Sequence, residues 1–158
     1  MKIKLLKGRV ALPIDIAALE QRIGEPLVTE FIEFVSGNDG AEPESCIFKI
    51  GETNESGINA FIAVKDIAKE MSLIESLPKR SFPIAWAEGG NYVFIDQSES
   101  GAVFFWDHEQ PDKIARLADS LHSFLERLEP FDIRTFKLNP GQVKKAWIDP
   151  DFLKSIQS

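Results

Sequence analysis

The sequence predicts an α+β domain in which an antiparallel sheet of about five or six strands carries helices packed at its N- and C-terminal sides. Two observations point there. Apolar residues recur at helical spacing near both ends of the chain, and between them lie short β-branched and aromatic runs separated by glycine-rich turns. At 158 residues the chain is long enough to bury one core without disulfide or metal staples, and a single domain over 1–158 is expected.

Residues 1–10 alternate loosely between basic and apolar types, as an edge strand or extended arm does. In the following segment Ile16, Leu19 and Ile23 fall at helical spacing, with Pro13 suited to a first turn and Gly24 to a left-handed C-cap. A second helix is expected from Pro26, with Leu27, Phe31, Phe34 and Val35 on one stripe and Gly37 as its end. Turn-forming residues then run to Pro43. Residues 46–50 and 58–64 read as a hairpin, and Ile67, Met71 and Ile74 as a helix capped by Asp66 and stopped by Pro78. Residues 82–87, 91–96 and 102–106 read as a three-stranded meander whose aromatics, from Phe82 to Trp106, occupy both sheet faces. From Pro111 to Leu128 the apolar residues repeat every three or four positions, which predicts one long helix. Beyond Pro130 the chain suggests a strand at 133–138, a turn at Asn139-Pro140-Gly141 and a short helix after Pro150.

The net charge of −7 is unevenly distributed: residues 11–128 hold 9 bases against 21 acids. Such a surface repels phosphate backbones and attracts basic proteins, so direct nucleic-acid binding is not expected. Cys46 stands alone, which rules out an intrachain disulfide and fits a reducing compartment. Lys7 and Arg9 interrupt the first apolar run before it reaches signal-peptide length, and no run is long enough to span a membrane. A cytoplasmic protein, monomeric or weakly dimeric, is expected.

Sequence signatures of catalysis are absent. His108 and His122 lie in different elements without metal-ligand spacing, Gly-x-Ser-x-Gly does not occur, and Gly89-Gly90 lacks the remaining residues of a phosphate loop. Asp96, Glu99, Asp107 and Glu109 near strand ends leave a carboxylate-based hydrolase as an alternative. No cofactor, metal or catalytic residue is expected.

Three stretches carry a family resemblance. The first runs from Leu19 through Gly24-Glu25-Pro26-Leu27, Phe31 and Phe34 to Asn38-Asp39-Gly40; the second is Phe82-Pro83-Ile84-Ala85 followed by Glu88-Gly89-Gly90-Asn91 to Asp96; the third is Gly101-Ala102-Val103-Phe104-Phe105-Trp106-Asp107-His108 with Phe124-Leu125 beyond. This ordered set resembles the SUKH superfamily, which contains the fungal Smi/Knr-type regulators and many bacterial immunity proteins. It covers about residues 12–128 and leaves 129–158 as an extension. The chain departs from the family pattern in having Glu25 where a leucine is usual, the inserted Asp39, and Asn91 where an acid is common.

The resemblance implies an SUKH-like fold and a non-catalytic protein-binding module. The leading expectation is an immunity protein that neutralises a toxin such as a nuclease by covering its basic face. The alternative is a regulatory scaffold for an endogenous protein. The expected contact surface comprises Asp39, Glu42, Glu44, Trp86, Glu88, Glu99, Asp107 and Glu109.

Overall fold

A computed structural model describes residues 1–131. The N-terminal arm contributes β1 (Leu5–Leu6), which pairs with β2 (Glu42–Pro43). Between them lie α1 (Pro13–Ile23) and α2 (Thr29–Asn38). The main sheet is antiparallel, with seven strands: β3 (Cys46–Ile50), β4 (Asn54–Phe61), β5 (Ser81–Ala87), β6 (Asn91–Asp96), β7 (Ala102–Trp106), β8 (Ile114–Ala118) and β9 (Glu129–Pro130). Their spatial order is β8-β7-β6-β5-β4-β3-β9, and the sheet curls so that β3 approaches β8. α3 (Val64–Met71) joins β4 to β5, and α4 (Leu121–Glu126) follows β8. The expected elements at 133–138 and after Pro150 lie outside the described residues.

Alternation along the central strands sends side chains to two faces. One face contributes Phe82, Ile84, Val93, Ile95, Val103 and Phe105 to the main core, where they meet Leu19, Phe31, Val35, Ile67 and Phe124 from the helices. Phe31 meets Phe82 edge-on at 4.9 Å, and Phe48 meets Phe124 at 5.4 Å. The other face carries Phe94, Phe104 and Trp106, covered by Ile74 and Leu77. Both faces are therefore aromatic, as the sequence predicts.

Several helix boundaries differ from expectation, each for a tertiary reason. The second helix starts at Thr29, because Val28 is held out of the helical region at ψ 140°. The Leu27 amide donates to Glu20 Oε2 and the Val28 amide to Gln97 Oε1, both at 2.8 Å. That helix continues through Gly37 to Asn38. α3 begins two residues before Asp66 and is capped from a distance: Val64 N–H donates to Asp39 Oδ1 at 2.8 Å. After Met71 the chain leaves the helix, and Ile74 covers the second sheet face.

The long helix expected over 111–128 is overturned. Residues 114–118 form β8, paired with β7 at Trp106↔Ile114, Phe105↔Ala115 and Phe104↔Arg116. A short helix starts only after Ser120, whose hydroxyl accepts the Ser123 amide at 3.1 Å. Residues on a strand and on the following helix happen to share an apparent helical period, and β7's need for a ladder partner decides the conformation. This strand and the short β9 raise the count above five or six.

Gln97 is 8% exposed and links the helical pair to the β6–β7 turn. Besides accepting from Val28, its amide donates to Glu25 Oε1 at 2.6 Å and to the Pro26 carbonyl at 3.1 Å. Removing it leaves the Val28 N–H and two acceptors without these partners. Gln97→Ala is expected to cost about 2–4 kcal/mol of unfolding free energy, measured by chemical denaturation.

Candidate functional site

Strands β3 to β8 are sequential antiparallel neighbours, so the β3–β4, β5–β6 and β7–β8 turns all emerge at one end of the sheet. There Glu55, Glu88 and Asp107 line a cleft of about 500 Å³ together with Asn54, Asn91 and Lys113. Glu52, Glu109 and Asp112 lie in the same turns and are exposed. Gly57 lets the Glu88 carboxylate lie against β4, since a Cβ there would stand 2.8 Å from Glu88 Oε1. Asp107 Oδ1 accepts the Glu109 amide at 2.9 Å, which orders the β7–β8 turn.

Ion pairing compensates some of the protein's acids and leaves others, among them Asp15, Glu33, Asp66 and Glu75, without an ion-pair partner among the described residues. Away from this end, Glu25 pairs with Arg80 at 2.8 Å, Glu42 with Lys7 at 3.1 Å, Glu126 with the N-terminal amine at 2.8 Å and Asp119 with Arg116 at 2.9 Å. At the hairpin end, Glu52, Glu55, Glu88, Glu109 and Asp112 form no ion pair among the described residues; Asp107 lies 4.0 Å from His108. The Glu55 side chain has Lys49 across the ladder, but not within ion-pair distance.

The eight expected contact residues do not converge on one patch. Glu88, Asp107 and Glu109 share the hairpin end. Asp39, Glu42 and Trp86 line a different cleft of about 550 Å³, with exposed Val10 and Leu12 on its rim. Asp39 is occupied in capping α3, and its burial pushes its carboxyl above the ordinary range against the opposing Val64 hydrogen bond. Glu44 accepts the Lys4 amide at 2.8 Å and so fastens the arm. Glu99 sits in the β6–β7 turn at the opposite end of the sheet, 3.8 Å from Arg116. Glu52, Glu55 and Asp112 lie outside the expected set, although all three fall in polar stretches between apolar runs.

His108 Nδ1 lies 2.8 Å from Asn91 Oδ1, which also accepts the His108 amide at 3.0 Å, so this histidine joins two adjacent turns. Cys46 is buried, and desolvation pushes its thiol up. Among the described residues no cluster of three or more His, Cys, Asp or Glu side chains is arranged to hold a metal. Among them also, no helix is long and apolar enough to cross a membrane.

With this geometry, comparison with known families is decisive on kinship. A family model, that of the SMI1/KNR4 family (SUKH-1), matches residues 11–127. The chain belongs to that family. No curated protein matches it. The SUKH-1 match spans α1 through α4 and includes the whole hairpin end, while β1 and β9 fall outside it. The family connection supports a binding module that acts on a protein partner.

Trp86, Tyr92 and Trp106 stand side by side across β5, β6 and β7. The Tyr92 hydroxyl donates to Glu70 Oε2 at 2.5 Å. Burial first, and then the Glu70 carboxylate, push the phenol from its ordinary value near 10 up to about 12, slightly opposed by the Trp86 indole. Stability from the protonated phenol is complete below the unfolded value and is lost as pH rises through the folded one. Tyr92 is the chain's one tyrosine, so its ionisation is directly visible by ultraviolet absorbance. The titration midpoint is expected near 12, and Glu70→Gln should move it partway back toward 10.

Proposed function

We propose that this SUKH-1 protein is a non-catalytic immunity-type module of the cytoplasm whose hairpin end binds a basic toxin domain, such as a nuclease. The observation that carries this reading is the concentration there of carboxylates without ion-pair partners among the described residues. Such groups keep their full field for a partner, whereas paired acids elsewhere are already compensated. Glu55 and Glu88 line a cleft, and Glu109 stands in the adjoining turn, so together they offer a concave acidic surface to a convex basic one. Covering a nuclease's phosphate-binding face excludes its substrate without any chemistry by the inhibitor. His108 at this end is held by Asn91 and joins two adjacent turns.

A second reading, a regulatory scaffold for an endogenous protein, draws on the other cleft. Val10 is 68% exposed and Leu12 59% exposed beside half-buried Trp86, a surface suited to an apolar contact with little salt dependence.

Affinity capture from native cells, washed at low and then high salt, distinguishes the two. The immunity reading expects a basic toxin domain that is released by salt. It further expects the combined Glu55→Lys, Glu88→Lys and Glu109→Lys variant to weaken its binding by about a hundredfold or more, chiefly through slower association. Binding untouched by this reversal would overturn it, and a salt-resistant housekeeping partner lost on Leu12→Glu would favour the scaffold.

A further inference from the structure

Where the curled sheet fails to close, a cleft of about 540 Å³ lies between β3, β8 and the C-terminal end of α4. Its lining includes Phe48, Leu117 and Phe124, and Phe48 stands edge-on to both Phe124 and Phe105. Its rim is cationic, although the protein as a whole carries −7. Lys2, Lys49, Arg116 and Arg127 line it against Glu126 and Glu129. Both acids are compensated, Glu126 by the N-terminal amine at 2.8 Å and Glu129 by Lys2 at 2.5 Å. Arg116 is turned to Asp119 and Glu99 outside the cleft.

Two charges remain. Arg127 donates through Nη1 to the Leu117 carbonyl, which fixes its guanidinium over the cleft without neutralising it. Lys49 is exposed and makes no ion pair among the described residues, although Glu55 lies opposite it on β4. A guanidinium anchored by one N–H keeps further donors for a second group, and its planar fork matches a carboxylate. Apolar lining and cationic rim together define a ligand with a hydrocarbon body and an anionic head.

We infer that this seam is a binding site for a small amphipathic carboxylate, with the carboxylate between Lys49 and Arg127 and the hydrocarbon on Phe48, Leu117 and Phe124. The site is separate from the acidic cleft of the hairpin end and does not rest on the immunity reading. A toxin partner and a small anion would engage surfaces of opposite charge.

The test is a millimolar titration of the full chain with sodium octanoate, 1-octanol and octylammonium chloride, followed by amide chemical shifts. Octanoate is expected to bind about tenfold or more tightly than octylammonium, with shifts concentrated at residues 47–51, 116–117 and 124–129. Lys49→Glu, on an exposed side chain that folding does not require, should weaken octanoate about fivefold or more and leave octanol unchanged. Equal binding of octanoate and octylammonium would overturn the inference, as would shifts centred on another surface or no binding of octanoate.

Discussion

A single buried amide sets how the helical pair docks on the sheet. Gln97, in the turn between β6 and β7, accepts from the Val28 backbone and donates to Glu25 and the Pro26 carbonyl, so one side chain holds the α1–α2 link against the sheet. Its own backbone amide donates to the Arg80 carbonyl at 3.0 Å, and Arg80 in turn pairs with Glu25. The helical pair therefore meets the sheet through a closed polar circuit at one corner and through Phe31 on Phe82 nearby. Polar groups satisfied in this way specify a docking angle that apolar contact alone leaves loose.

This corner also explains how charge is distributed. Four acids outside the hairpin end are engaged by structure: Glu20 and Glu25 fix the link, Glu44 fastens the arm, and Asp39 caps a helix. The three turns at the far end have no such duties for most of their carboxylates. The charge excess of this family member thus includes acids engaged within the fold as well as acids directed outward, and the net value alone does not separate them.

The sequence was informative wherever local chemistry and tertiary need agree. The meander strands at 91–96 and 102–106 emerged at their observed bounds, because alternating aromatics and glycine turns specify them locally. Gly24 ends α1 at φ 91°, as its position predicts. Residues 114–118 misled because Ile114, Leu117 and Ala118 continue the helical spacing of Leu121, Phe124 and Leu125, and only the unpaired edge of β7 makes them a strand. At the candidate site, Glu88, Asp107 and Glu109 were identifiable as acids in turns. Which turns share an end depends on strand order, and so Glu99, equally an acid in a turn, stands at the opposite end of the sheet.

Asp39 has one more consequence, for the order of events in folding. α3 spans eight residues, too few to persist as an isolated helix, and its first amide has its carboxylate acceptor in a turn 25 residues earlier. That turn is itself positioned by two backbone hydrogen bonds between Arg9 and Asp39. The helix therefore cannot serve as an early independent nucleus. It should consolidate only once the arm and the end of α2 have come together, making the α3 segment a late reporter of assembly in the N-terminal half.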